Sequence, residues 1–338
     1  MSTVPAASPE GKGGGDVRGP KRTGGAGNRS VQQIFASPRR GLLGVRVREA
    51  VIYAGLYFCG LFSLLITAAI LVVLVRETSR FFAADNVTIE NFLLSTRWNP
   101  LLGEDKSYGI WALICGTMWV TVIAMAVALP LGLITAVYLS EYAPAKVRGV
   151  LKPILEVLAG IPTVVYGFFA LTVITPFLQT MHDGFNVFNA TSGGLAVGIL
   201  CLPTVCSLAE DALRAVPDSL RDGAYGLGGT RFEATIRVVV PAALSGIVSA
   251  FLLAIARAIG ETMIVAIACG SRPHVTFDPR DEVQTMTGFM VQMAGGDVSN
   301  FNTEYYSMYA VGFTLFLITL SITMVGNVVR RRFREAYE

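Results

Sequence analysis

The sequence predicts an all-α membrane protein with six transmembrane helices and with both termini in the cytoplasm. Three observations lead to this prediction: the composition, the spacing of long apolar runs, and the uneven distribution of Lys and Arg between the loops. Of the 338 residues, 53% are hydrophobic and 15% are charged, whereas soluble domains carry about 25% charged residues. The mean hydropathy of +0.56 agrees with this. The composition therefore disfavours a soluble protein.

Long apolar runs place the six predicted helices. A helix needs about 20 apolar residues to span the hydrocarbon core of a bilayer. Six runs have roughly that length, and the fourth is the shortest. Only two of them contain charged residues, Glu156 in the third run and Arg257 and Glu261 in the fifth. The runs are residues 51–75, 110–140, 153–181, 191–208, 238–270 and 305–329.

The orientation follows from the distribution of Lys and Arg. Nine lie before the first run, three follow the second, four separate the fourth from the fifth, and four end the chain. Only six lie in the loops of the opposite side, and Arg257 alone lies within a run. Because Lys and Arg concentrate in cytoplasmic loops, both termini are predicted to be cytoplasmic. The net charge of +3 then reflects these loops, and no nucleic-acid partner is expected.

The chain divides into two predicted domains. Residues 1–48 are rich in Gly and basic residues, and we expect a disordered cytoplasmic tail without a signal peptide. Residues 49–338 form the membrane domain. No G-x-x-x-x-G-K-[ST] motif occurs, so we expect no ATP hydrolysis by this chain and no enzymatic activity. The five cysteines lie in the apolar runs without a C-x-x-C spacing, so no metal site is expected.

The cytoplasmic loop of residues 217–241 has the pattern of two helices joined by glycines. Pro217 suits the start of the first helix, and Gly228 with the next glycine ends it. Thr230 and Glu233 have the spacing of a capping box, which begins the second helix. This second helix is predicted to run straight into the fifth span. The loop is either a plain amphipathic connector or an element that receives force from a cytoplasmic partner.

The same loop resembles the EAA motif of ABC-importer permeases. The motif's positions are occupied by Asp222, Gly223, Ala224, Gly228, Val238, Val240 and Pro241. Asp replaces Glu and Gly replaces the first Ala, while the spacing is kept. Residues 139–144, 156–171, 224–247 and 257–263 are similar to phosphate-specific ABC permeases, and the Gly-Glu-Thr-Met ending is similar to the PstC-type subunit. The resemblance covers residues 110–329.

The resemblance implies the fold of a type I ABC-importer permease in a prokaryotic cell membrane. It implies a heterodimer with a PstA-like sister permease. Two PstB-like ATPase subunits would hydrolyse ATP with Mg²⁺, and a groove of one of them would receive the coupling helix of the 217–241 loop. A PstS-like extracytoplasmic protein would deliver phosphate. Besides these partners and membrane lipid, the chain itself is expected to bind no cofactor.

Arg257 and Glu261 are the candidate substrate-path residues, together with Gly260 and Thr262. A charge in the centre of a bilayer costs at least ~2.5–3.5 kcal/mol, so such charges usually have a function. On a continuous helix Arg257 and Glu261 lie one turn apart on the small, polar face. We therefore predict that Glu261 neutralises Arg257 until phosphate competes for the guanidinium. The alternative is a purely structural ion pair.

Three residues of the third run are candidates for a gate. Pro162 and the Tyr166-Gly167 step would bend the helix, and Glu156 is the only charge there. Glu156 could instead form an interfacial ion pair with Lys152, one turn before it. Three other functions stay open: an ABC importer for another solute, a secondary anion transporter driven by an ion gradient, and a membrane scaffold that signals phosphate status.

Overall fold

The computed structural model describes residues 42–84, 87–100, 106–296 and 302–332, with the backbone alone for 42–47 and 331–332. Most of the predicted tail, residues 1–41, lies outside this part. The chain has two compact units, residues 1–66 and 67–338. Of the first unit the structure describes the N-terminal part of helix α1, which begins at Leu42. In this part of α1, the side chains of residues 48–66 are exposed.

The described elements are almost entirely helical, so the predicted all-α class is confirmed. The described residues form fourteen α-helices, three short π-helical stretches and one two-stranded antiparallel hairpin that pairs Trp98 with Tyr108. The elements are α1 (Leu42–Phe82), α2 (Ile89–Leu94), β1 (Trp98–Asn99), β2 (Ser107–Tyr108), α3 (Trp111–Val137), a π-helix (Tyr138–Tyr142), α4 (Ala145–Gly160), α5 (Thr163–Phe169), a π-helix (Ala170–Ile174), α6 (Thr175–Met181), α7 (Ala190–Arg214), α8 (Asp218–Gly226), α9 (Arg231–Ala234), a π-helix (Thr235–Val239), α10 (Val240–Ala242), α11 (Leu244–Ile259), α12 (Met263–Ala268), α13 (Met286–Ala294) and α14 (Thr303–Arg332).

Five described helical segments are long and apolar enough to cross a membrane, and a bent pair provides a sixth candidate. This agrees with the six predicted spans. The five are Arg48–Phe82, Trp111–Tyr142, Thr163–Met181, Ala190–Arg214 and Thr303–Arg330, and the bent pair is Arg231–Ala242 with Leu244–Ile259.

Helices α3 and α7 form the centre of the membrane domain. Small residues let their backbones approach closely, as is common between membrane helices. A Cβ atom at Gly198 would lie 3.0 Å from the carbonyl oxygen of Ala124, and one at Gly132 would lie 2.7 Å from Val205. Asn189 begins α7 by accepting a hydrogen bond from the amide of Ser192 at 2.7 Å. The span with the shortest apolar run is thus a largely buried central helix.

The predicted third span is not one continuous helix. Helix α4 ends at Gly160, and the spanning segment begins only at Thr163. Pro162 causes the break, because it has no N–H group to donate to the carbonyl of Leu158. The bend expected at Pro162 is confirmed, whereas the step after Tyr166 stays within α5. Helix α4 has no buried residue.

The predicted fifth span is broken twice, so its straight course was a wrong prediction. A bend of 68° separates Arg231–Ala242 from Leu244–Ile259, just after Pro241, whose ring cannot continue the hydrogen-bond ladder. The second break follows Ile259, where Gly260 ends α11. There the carbonyl of Glu261 accepts a hydrogen bond at 2.6 Å from Thr287 of α13, which holds it outside any helix.

Aromatic side chains pack the side of the domain that the sequence predicts to face outward. Phe81, Phe92, Trp98, Tyr108 and Phe289 are buried and meet edge to face, as aromatic rings prefer. The loop between the first two spans contains the short helix α2, and burial raises the pKa of Tyr108 in β2 to about 12. Helix α13 in the second outer loop was not predicted.

Candidate functional site

Arg257 lies near the end of α11, one turn after Ala254 and at the edge of the helix face that carries the buried alanines. Ala250, Ala254 and Ala258 face the core, whereas Arg257 is exposed in the single chain. Its Nη1 atom donates to the hydroxyl oxygen of Thr204 on α7 at 3.1 Å. The prediction that the small, polar face of α11 points into the bundle is therefore only partly correct. Ala250 and Ala254 of this face are buried, whereas Arg257 is exposed. Arg257 presents its charge at an open surface of the subunit.

The predicted ion pair between Arg257 and Glu261 is absent from the described part of the chain. The prediction assumed a continuous helix, but α11 ends at Ile259. Glu261 is buried, 8% exposed, and its Oε1 atom accepts a hydrogen bond from the amide of Ile264 at 3.4 Å. This bond satisfies one of the free N–H groups at the start of α12.

Gly260 and Thr262 lie on either side of Glu261 in the short break between α11 and α12. Gly260 is exposed, and its carbonyl accepts a hydrogen bond from the Thr262 hydroxyl at 3.1 Å. Three of the four predicted path residues, Gly260, Glu261 and Thr262, therefore share one irregular segment, and Arg257 lies in the last turn of α11 before it. Such non-helical backbone at membrane depth occurs where protein or a water-filled space surrounds it.

A cavity of about 340 Å³ lies between α4 and α7, next to the Arg257 contact. Thr204, the hydrogen-bond partner of Arg257, is part of its wall. The cavity thus connects the environment of Arg257 with the polar residues of α4. Its lining consists of Lys152, Leu155, Glu156, Ala159, Pro203, Thr204, Ser207, Leu208, Glu210 and Leu253.

Glu210 is the centre of a charged cluster at the far end of this cavity. Its side chain is 1% exposed, and Arg148 donates to it at 2.6 Å. Lys152 and Arg214 approach it at 3.6 and 3.8 Å. The suggested pair of Lys152 with Glu156 is therefore wrong, since Lys152 lies against Glu210. Glu210 was not predicted from the sequence, although a carboxylate near the end of an apolar run was a usable signal.

The gate candidates occupy two different places. Glu156 is exposed and lines the cavity. Tyr166 is buried, 5% exposed, and its hydroxyl donates to the carbonyl of Leu158 at 2.7 Å. This is the carbonyl that Pro162 leaves without its helical donor. The tyrosine side chain therefore replaces a missing backbone hydrogen bond and stabilises the break.

The loop of residues 217–241 has the predicted structure of helix, glycine turn and helix. Helix α8 ends in the turn at Gly228, whose φ of +83° favours glycine. The capping box is confirmed: the Thr230 hydroxyl accepts a hydrogen bond from the amide of Glu233, whose carboxylate accepts one from the amide of Thr230. That backbone hydrogen bond and the Thr230 hydroxyl lower the pKa of Glu233. Of the motif positions, Asp222, Gly223, Gly228 and Pro241 are exposed and Ala224 is partly exposed.

Arg221 connects this loop to two spanning segments. Its Nη2 atom donates to Glu141, at the end of the second span, at 3.0 Å, and to the carbonyl of Leu213 at 2.9 Å. Its Nη1 atom donates to the carbonyl of Val216 at 2.6 Å. Hydrogen bonding to Glu141 raises the pKa of Arg221. The pair of Arg221 and Glu141 was not predicted from the sequence, since the two residues lie 80 positions apart.

No group of three or more His, Cys, Asp and Glu side chains in the described residues is placed to hold a metal ion. The five cysteines are free thiols, and three of them are buried.

The sequence matches a known family over much of its length. Residues 128–335 match the family described as "Binding-protein-dependent transport system inner membrane component". The chain is 32% identical over 306 residues to the probable ABC transporter permease protein YqgH of Bacillus subtilis, covering 90% of this chain and 97% of that protein. It is 33% identical over 264 residues to the phosphate transport system permease protein PstC of Mesorhizobium japonicum, covering 72% and 78%.

The fold is similar to that of a subunit in a solved bacterial alginate ABC transporter in complex with an alginate pentasaccharide-bound periplasmic protein. The TM-score is 0.62 at 14% identity, covering 86% of this chain and 98% of that chain. At this identity the likeness concerns the fold alone, and it confirms the predicted architecture.

Proposed function

We propose, from the premise that this chain belongs to the family of binding-protein-dependent transport system inner membrane components, that it forms half of the membrane path of an ATP-driven importer of inorganic phosphate. Relatives named phosphate transport permeases support this substrate. The structural observation that carries the proposal is Arg257, an exposed guanidinium at the edge of an open cavity.

The chemistry of phosphate explains why an arginine belongs in this place. Phosphate is expensive to remove from water unless a counter-charge receives it. A guanidinium stays charged when it is buried and offers a planar set of N–H donors that fits two oxygens at once. In the structure Arg257 donates to a neutral hydroxyl, Thr204, which does not cancel its charge. The positive charge of the guanidinium is therefore available to an anion.

Glu261, Gly260 and Thr262 form the part of the path that follows Arg257. The backbone is irregular there, and Glu261 is fixed near the start of α12. A carboxylate can receive a hydrogen bond only from a protonated oxyanion. At this place Glu261 would therefore favour phosphate over fully ionised sulfate. Replacement of Glu261 by Gln is expected to reduce this preference, and equal phosphate-to-sulfate ratios would reject the role.

The exposed side of α11 is completed by a second permease subunit of the PstA type. Two ATPase subunits of the PstB type bind ATP and Mg²⁺ below the pair of permeases, and one of them receives the loop of residues 217–241. A PstS-type protein delivers phosphate from outside. Both termini are then cytoplasmic. In support of this arrangement, α8 has no buried residue in the single chain, and Leu227 is 93% exposed. The chain itself transports and does no covalent chemistry.

Uptake by the complete importer in vesicles tests the proposal. We expect Arg257→Ala to lower ATP-driven uptake of radiolabelled phosphate about 100-fold, because the loss of two charge-assisted hydrogen bonds costs about 3 kcal/mol. Arg257→Lys should retain part of the activity. Arg272→Ala is the matched control, since Arg272 is exposed in an outer loop.

Three outcomes would contradict the proposal. They are undiminished uptake by Arg257→Ala, uptake driven by an ion gradient without ATP, and import of a different delivered solute in preference to phosphate. The second would indicate a secondary transporter, and the third an ABC importer for another solute.

A further inference from the structure

We propose that the cavity between α4 and α7 holds a second anion-binding site, in which Lys152 is the ligand and Glu210 is the counter-ion that an incoming oxyanion displaces. This inference rests on the proposed function, because it takes inorganic phosphate as the anion. From the sequence, Glu261 was expected to neutralise Arg257 until phosphate competes for it. Here Glu210 has that role toward Lys152.

The charges around the cavity favour an anion. Three cations, Arg148, Lys152 and Arg214, surround the single buried carboxylate of Glu210. One carboxylate cannot neutralise three cations. Glu156 adds a second carboxylate to the wall. Three cations and two carboxylates leave a net charge of +1 for the cluster, with Arg148 and Arg214 outside the lining of the cavity. A tetrahedral oxyanion would balance that net charge.

Lys152 differs from the other two cations in its position. It lines the cavity, whereas Arg148 and Arg214 do not. Its ammonium group lies 3.6 Å from Glu210, beyond good hydrogen-bond distance, and its side chain is 38% exposed. Arg148, at 2.6 Å and 21% exposed, is the structural partner of the carboxylate. Lys152 can therefore turn toward a ligand while Glu210 keeps Arg148.

Hydroxyl groups on the opposite wall complete the site. Thr204 and Ser207 of α7 line the same cavity, and hydroxyls can donate to a phosphate oxygen. Thr204 also accepts a hydrogen bond from Arg257. One side chain thus belongs to both anion sites. A volume of about 340 Å³ is ample for phosphate with part of its water shell, so the anion can pass from Arg257 to Lys152 past Thr204.

A chemical-protection experiment on the wild-type complete importer tests binding directly. Lysines are modified with an amine-reactive reagent in chloride and in millimolar inorganic phosphate at equal ionic strength, and the rates are followed by mass spectrometry. We expect phosphate to slow the modification of Lys152 several-fold. Lys146, exposed on the same helix, is the internal control and should react equally in both salts. Equal rates at Lys152 in the two salts would overturn the inference.

Uptake by variants separates this site from the proposed function. Lys152→Gln should lower phosphate uptake about tenfold, the effect of losing one charge-assisted hydrogen bond. Lys152→Arg should retain part of the activity, and Lys146→Gln should stay close to wild type. Normal uptake by Lys152→Gln would overturn the second site alone, provided that Arg257→Ala stops transport. Normal uptake by Arg257→Ala would instead refute the proposed function.

Discussion

Replacing Arg221 by Met should release helix α8 from the membrane domain. The methionine keeps most of the apolar stem and removes the guanidinium, which holds Glu141 and the carbonyls of Leu213 and Val216. No residue of α8 is buried, and besides Arg221 only Leu220 of this helix packs against the core. We therefore expect the position of the helix to depend mainly on this one side chain.

The magnitude follows from the burial of the pair. The side chains of Arg221 and Glu141 are 15% and 6% exposed, and removing one partner of a buried ion pair costs about 3–5 kcal/mol. Because each 1.4 kcal/mol is a factor of ten, the lower limit of about 3 kcal/mol predicts about 100-fold faster local opening of α8. Glu141→Gln should have a smaller effect, since Arg221 keeps its two carbonyl acceptors.

Hydrogen exchange of the backbone amides, followed by mass spectrometry, measures this opening in the peptide that contains α8. Arg237→Met is the control, because Arg237 is an exposed arginine of the same loop. Exchange of α8 in Arg221→Met that equals exchange in the wild type and in Arg237→Met would refute the reasoning. A larger effect of Glu141→Gln than of Arg221→Met would refute the assigned role of the two carbonyls.

Three further predictions concern single positions. Tyr166→Phe keeps the ring but leaves the carbonyl of Leu158 with only the long hydrogen bond from the amide of Ile161, at 3.4 Å, so the free energy of unfolding should fall by about 0.5–1.5 kcal/mol; an unchanged Tm would contradict this. In Gly193→Ala the new Cβ atom would lie 2.2 Å from the sulfur of Cys269, and overpacking of this kind costs about 1–3 kcal/mol. Adding Cys269→Ala should restore most of the lost Tm, and a purely additive loss would show that the sulfur is not the cause. Gly228→Ala places an L side chain at a φ of +83° and should cost about 1–2 kcal/mol, seen as faster amide exchange in α8; exchange at the wild-type rate would contradict the strain.

Features of the fold that depend on a few adjacent residues could be predicted from the sequence. The capping box of Thr230 and Glu233 and the turn at Gly228 depend on a few adjacent residues, and the structure contains both. The break at Pro162 was predictable for the same reason, because a proline lacks the N–H group wherever it occurs. The apolar runs likewise placed the spans, since apolar length is a property of a contiguous segment.

Long-range contacts explain what the sequence did not reveal. The end of α11 before Glu261 is held by Thr287, which lies 26 positions further along the chain. Arg148 and Glu210 are 62 positions apart. No pattern along one helix can indicate which distant side chain will compete for a carbonyl or a carboxylate. The predicted pair of Arg257 and Glu261 was wrong for this reason, since it used helical spacing alone.

The bend of 68° between Arg231–Ala242 and Leu244–Ile259 determines how a displacement of the cytoplasmic loop travels toward Arg257. For two rods at 68°, only roughly 0.4 of a movement along the first lies along the second, and roughly 0.9 lies across it. A displacement of α9 along its axis would therefore move α11 mainly sideways and shift it little along its own axis.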